Sequence, residues 1–148
     1  MTINTEVKSL REVPMFRDVD PSRLKLLAFT SERISYKAGQ RLFAQGDAAD
    51  AAYVLLEGKV DVMLMNAGNQ IKVAELGRNA IVGEMGILSD MPRSATVVAA
   101  EPSSALRIDK RVFLELLIQF PQMSVAIMRE LAKRLERTNA QLVMRAGG

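Results

Sequence analysis

The sequence contains no histidine and no cysteine. Those two absences remove whole classes of chemistry. No thiolate nucleophile, Ser-His dyad, Cys-ligated iron–sulfur cluster or His-ligated metal or haem can form. Oxygen-only Mg or Ca sites survive the exclusion, but no segment has the Asp/Asn-rich loop spacing of a calcium hand. No metal, no cofactor and no catalytic residue is expected, and the chain reads as a non-enzyme. The lack of cysteine also rules out a disulfide framework and fits a reducing, cytoplasmic setting. No stretch approaches the roughly 20 apolar residues of a membrane-spanning helix, so no membrane contact is expected. The opening "MTINTEVKSLREV" has no positive region leading into an apolar run, which argues against a secretory signal. An excess of one charge is missing too: 20 Lys and Arg face 17 Asp and Glu, net +3, too mild to announce a nucleic-acid partner.

What is present fits one domain. The 148 residues suffice to bury a core, and three patterns follow one another along them. Residues 1–30 read as helical: "EVKSLREV" is a short amphipathic stretch, and Asp20-Pro21 supplies an N-cap with proline at the first helical position. Residues 31–108 read as short strands punctuated by glycine. "ERISY", "QRLFAQ", "AAYVLLE", "KVDVML", "QIKVAEL", "ATVVAA" and "SALRI" are separated by turns, and Val60, Val62 and Leu64 alternate with polar partners. Gly39, Gly46, Gly58 and Gly77 are read as turn glycines with positive φ, and Asp47 as a turn residue. Residues 109–146 return to helix, with Asp109 as a cap and Pro121 breaking one helix to open the next. The expected fold is α+β, mainly β: an antiparallel β-roll or jelly roll of about eight strands, N-terminal helices and a long C-terminal helix. In that last helix Met128, Leu131, Leu135, Thr138 and Leu142 fall at spacings of 3, 4, 3 and 4. This describes either a dimer seam or an amphipathic helix lying on the roll. Met123, Met128 and Met144 are read as core or seam.

One stretch interrupts the strand series: "GEMGILSDMPRSATV", Gly83 to Val97. Holding a small phosphate ester inside a β-roll needs a fixed cation with several donors, and the planar fork of arginine supplies two parallel bonds. Small residues beside it leave backbone N–H groups accessible. A ribose hydroxyl wants a carboxylate acceptor, with glycine beside it for close approach. Residues 83–95 supply each part in order: Gly83, Glu84, a helical turn in "MGIL" that begins at Met85, Asp90 and Pro92 to turn the chain, Arg93, then Ser94 and Ala95. Each residue alone is weak; their joint spacing carries the inference.

These residues resemble the phosphate-binding cassette of cyclic nucleotide-binding domains, in the branch of the bacterial cAMP receptor protein and its Crp-Fnr relatives. The likeness extends to "VPMFRDVDPSRLKLLA", "AGQRLFAQGDAADAAYVLLEGKVDV" and "LAKRLERTNAQL". It implies that Glu84 takes the ribose 2′-hydroxyl with help from the Gly83 backbone. By the same likeness Arg93 pairs with the cyclic phosphate, Ser94 and Ala95 complete the cradle, and Met85 lies in the same site. It also implies that Thr138 covers the base, that Asn139 reaches the nucleotide of a second subunit, and that the last helix builds a homodimer.

Three departures qualify the transfer. Relatives that regulate transcription carry a winged helix-turn-helix after the long helix, whereas this sequence ends at Gly148. Direct DNA binding is therefore not expected, and one reading makes the chain the sensor half of such a regulator. Asn79 stands where glycine is frequent, a minor change because asparagine tolerates the left-handed region. Ser94 replaces the threonine that favours cGMP or the alanine that favours cAMP. The resulting expectation is a regulatory sensor for a cyclic nucleotide, cAMP first and cGMP second, whose last helix shifts on binding. The alternatives are a ligand-independent dimerising interaction protein with an idle pocket, or an enzyme on the same roll.

Overall fold

The computed structural model describes residues 3–147, and the side chains of residues 3, 134, 138 and 141–147 lie outside the described residues. The expected side-chain roles of Thr138, Leu142 and Met144 fall there. The chain opens with α1 (Ile3–Glu12), a 3₁₀ turn (Pro14–Phe16) and α2 (Pro21–Thr30). Strands β1 (Glu32–Tyr36), β2 (Arg41–Phe43), β3 (Ala51–Glu57), β4 (Val60–Asn66), β5 (Asn69–Leu76) and β6 (Ile81–Val82) follow. A short helix α3 (Glu84–Ser89) precedes β7 (Thr96–Ala99) and β8 (Ser103–Asp109), and α4 (Lys110–Gln119) and α5 (Pro121–Gly147) close the chain.

The eight strands form two four-stranded antiparallel sheets, ordered β1-β8-β3-β6 and β2-β7-β4-β5. This is the antiparallel roll with flanking helices that the sequence pattern predicts. Strand β3 shows how the layers are assembled. Ala51, Tyr53 and Leu55 pack between the sheets with Val60, Val97 and Ala105. Their neighbours Ala52, Val54 and Leu56 pack on the other face with Leu24, Phe113 and Ile127 of the helices. A strand buried on both faces explains why "AAYVLL" lacks polar alternation. Each large apolar side chain taken out of water contributes about 1.5–3 kcal/mol.

Local chemistry sets the element boundaries. The Asp109 carboxylate accepts from Arg111 N at 3.1 Å and starts α4, and Pro121 opens α5 with only Phe120 between the two helices. The β4–β5 hairpin turns on Ala67 and Gly68, both at positive φ, which a two-residue turn of the primed type requires. Gly39, Gly46 and Gly58 take positive φ as expected, but Gly77 does not. Its turn closes through Ala80 N to Gly77 O at 3.1 Å, and the left-handed residue is Asn79 at φ 69. Strand β6 is absent from the sequence reading because only Ala80–Val82 separate that turn from Gly83. In α5, Met123 and Ile127 are buried and Leu131 packs against the same core, while Met128 and Leu135 are 59% and 62% exposed. The start of α5 therefore lies on the fold while a second face stays bare. Among the described residues no single helix is long and apolar enough to cross a membrane.

Candidate ligand-binding site

The stretch singled out in the sequence wraps one side of a cavity of about 160 Å³. Gly83, Glu84, Met85, Arg93, Ser94 and Ala95 all line it. Phe43, Val62, Leu76 and Val97, one from each strand of the second sheet, supply apolar walls. The volume is below the roughly 300–1,000 Å³ of closed small-molecule pockets, so the roll can enclose only part of a nucleotide-sized guest.

Arg93 organises this cavity. It is 3% exposed although it is charged. Its Nη1 donates to Gly83 O at 2.6 Å and its Nη2 to Ala51 O at 2.5 Å. The guanidinium carbon sits 4.1 Å from the centroid of the Phe43 ring, a cation–π contact of the desolvated kind. Phe43 in turn lies 5.8 Å from the Tyr53 ring. The nearest carboxylate is Asp50, whose Oδ1 is 3.6 Å from Arg93 Nη2 and whose Oδ2 is 3.2 Å from Arg107 Nη2. Burial pushes the Arg93 pKa down, with Tyr53 and Asp50 acting the other way. Its Nε is buried and has no hydrogen-bond partner. A buried donor left unmade costs about 1–3 kcal/mol, so the guanidinium is a charge poorly matched by the protein alone.

The backbone fixes Arg93 as firmly as the side chain does. Arg93 N donates to Asp47 O and Gly46 N to Arg93 O, both at 2.8 Å. Asp47 is the turn residue expected of it, its carboxylate accepting from Ala44 N at 2.9 Å. Gly83, at φ 84, is the N-cap of α3, and a Cβ there would stand 2.6 Å from Arg93 Nη1. Glycine is thus needed both for the backbone conformation and for the guanidinium's room. Glu84 is buried at the first position of α3, where a carboxylate suits the positive end of the peptide dipoles. Met85 and Ala95 are half-buried and Ser94 is exposed.

The two remaining expected residues, Thr138 and Asn139, come later in the chain. Both belong to α5; the Thr138 side chain lies outside the described residues, and Asn139 is exposed and does not line the cavity. Sequence reasoning missed Phe43, Asp50 and Ala51 as parts of the site. Phe43 and Asp50 sit within "RLFAQGDAAD", and nothing local distinguishes an aromatic that stacks on a cation fifty residues away from one that fills a core. Among the described residues no group of three or more acidic side chains could hold a metal ion.

A buried guanidinium on the wall of a cavity in an antiparallel roll, with a carboxylate and small residues around it, is an arrangement chemically suited to a small organic anion. Comparison with known proteins makes the class specific. The model of the cyclic nucleotide-binding domain matches residues 33–120, and the chain belongs to that family. It is 31% identical over 130 residues to the Cyclic AMP receptor protein of Thermus thermophilus, covering 87% of this chain and 60% of that protein. The crystal structure of the Thermus thermophilus Catabolite Activator Protein superposes with a TM-score of 0.80 at 29% identity, over 90% of this chain and 63% of that one. Lysophospholipase nte1 of Aspergillus fumigatus is 28% identical over 116 residues, which are 78% of this chain and 8% of that enzyme. The chain thus spans about 60% of the Thermus receptor's length and a small fraction of the lysophospholipase.

Proposed function

We propose that the chain is a regulatory sensor whose ligand is cAMP, with cGMP as the competing nucleotide. The observation that carries this reading is the buried Arg93 guanidinium that lines the cavity, with Asp50 at 3.6 Å as its carboxylate partner. An equatorial phosphate oxygen at the guanidinium would match that charge. In this reading Glu84 accepts from the ribose 2′-hydroxyl, the Gly83 backbone assists it, and Ser94 and Ala95 complete the anion cradle beside Met85. The small cavity leaves the base outside the roll, where Thr138 of α5 covers it and Asn139 reaches the nucleotide of a second subunit. Covering the base moves α5, and the bare face around Met128 and Leu135 pairs two chains in a homodimer. The printed name of the Thermus relative favours cAMP among nucleotides. The chain itself catalyses nothing in this reading and works in the cytoplasm. In the lysophospholipase the matched region is 8% of the protein, so catalysis there need not involve it.

Three or four charge-assisted bonds of about 1.5–3 kcal/mol together with a stacked base support roughly micromolar binding, about 8 kcal/mol. Calorimetric titration of refolded protein with cAMP and then cGMP, at matched salt, tests the proposal. Saturable heat near micromolar cAMP is expected, and the ratio of the two affinities reports the preference set by Ser94. No heat with either nucleotide refutes the sensor reading and leaves a ligand-independent dimerising protein on the same fold.

A further inference from the structure

Positive charge is unevenly neutralised over the described residues. Around the roll most cations have a carboxylate: Arg33 has Glu6, Lys59 has Glu75, Lys72 has Asp61, Arg107 has Asp50 and Lys110 has Asp90. The helical side differs. Lys8, Arg11, Arg17, Arg129 and Lys133 are all exposed, and among the described residues none of them has an ion pair.

These five cations line two adjoining clefts that share Arg17. The larger, about 630 Å³, runs between the 3₁₀ turn and the first turns of α5, and none of its residues belongs to the ligand cavity. It combines an apolar strip of Pro14, Pro121, Val125 and Ala126 with Arg17, Arg129 and Lys133. The second, about 470 Å³, lies along α1 and adds Lys8 and Arg11. The carboxylates present are fewer and partly engaged. Glu130 pairs with Arg137 at 3.6 Å, leaving Asp18 and Glu12, whose carboxylate accepts from the neutral Asn79 amide at 3.5 Å.

We infer that this groove docks an acidic segment of a partner protein, one that sets carboxylates against the five cations and an apolar side chain on the Pro14–Val125 strip. The shape and composition favour a peptide over other anions. A polyphosphate backbone laid along the groove would meet Asp18 and Glu130 as well as the cations. A lipid surface needs apolar side chains projecting from a convex face, whereas here the apolar strip lies in a concavity. A peptide chooses where each charge falls, and complementary charge of this kind sets orientation and association rate as well as affinity.

The test uses the whole chain without nucleotide, so its outcome is independent of the ligand reading. Fluorescence anisotropy follows a labelled peptide of Glu-Glu-Leu repeats, with Gln-Gln-Leu and Lys-Lys-Leu peptides as companions. Saturable binding of the Glu peptide alone is expected. Joint substitution Arg129→Glu and Lys133→Glu should weaken it about tenfold or more, as should raised salt, because both act on exposed pairs. Lys25→Glu, on the exposed face of α2, should leave it unchanged, and circular dichroism confirms that each variant folds. Absence of saturable binding overturns the inference, and so does equal weakening by Lys25→Glu. Groove-dependent binding of duplex DNA, or of phosphatidylserine vesicles, in place of the peptide also overturns it.

Discussion

Replacing Gly83 by alanine tests the geometry of the site without touching a charged group. The added Cβ would stand 2.6 Å from Arg93 Nη1 and 3.1 Å from the Phe43 ring, on a backbone held at φ +84. The left-handed backbone costs a non-glycine residue about 1–2 kcal/mol. Moving the guanidinium aside breaks its 2.6 Å bond to Gly83 O, a charge-assisted bond worth about 1.5–3 kcal/mol. Gly83→Ala should therefore destabilise the fold by about 3 kcal/mol. Gly39 provides the control, since its φ is +90 yet nothing lies within 4 Å of an added Cβ. Gly39→Ala should cost only the backbone contribution, about 1 kcal/mol. Thermal unfolding followed by circular dichroism reads the difference, about 10 °C for Gly83→Ala against about 3 °C for Gly39→Ala. Calorimetry should show weakened cAMP binding for the first variant alone. Equal melting losses, or full affinity in Gly83→Ala, would refute the packing of Gly83 against Arg93.

Three further outcomes follow from the same site and its surroundings. Arg93→Met should reduce cAMP affinity about 100-fold or more while lowering unfolding free energy by only about 2 kcal/mol, because relief from charge burial offsets part of the lost bonding; titration and denaturant melts measure the two effects. Asp50→Asn removes the carboxylate that competes for Arg93 at 3.6 Å, and cAMP should bind about two- to fivefold tighter at low salt, with the gain vanishing at high salt. Burial, with Tyr53 next, pushes the Tyr36 phenol up to about 12, above its ordinary value near 10. The unfolded chain then ionises first, so stability holds below about pH 10 and falls toward pH 12, by about 2 kcal/mol, a decline that Tyr36→Phe should remove in alkaline melts.

The roll was legible in the sequence because its turns are chemically marked. Glycines, the Asp109 cap and Pro121 delimit elements that the structure places within a few residues. The group from Gly83 to Ala95 was legible for a similar reason: it is contiguous, so its joint pattern survives in one dimension. What surrounds it was not. Phe43, Asp50 and Ala51 reach Arg93 only through the tertiary fold, over separations of up to 50 residues, and one of them contributes a backbone carbonyl that any residue would supply. Gly77 illustrates the opposite error. A glycine next to a turn invites the assumption of positive φ, yet Asn79 carries the left-handed position while Gly77 supplies the closing carbonyl.

The two carbonyls that hold Arg93 also bear on how such a site ages. A side chain that only contacts ligand can drift once selection for binding relaxes. Arg93 ties the strand at Ala51 to the helix start at Gly83, so its loss strips charged donors from two carbonyls of the fold. Losing the arginine would therefore cost some stability as well as binding, a loss that changes at Phe43, Asp50 or Gly83 could offset. An intact arginine is in this sense a trace of architecture as well as of use.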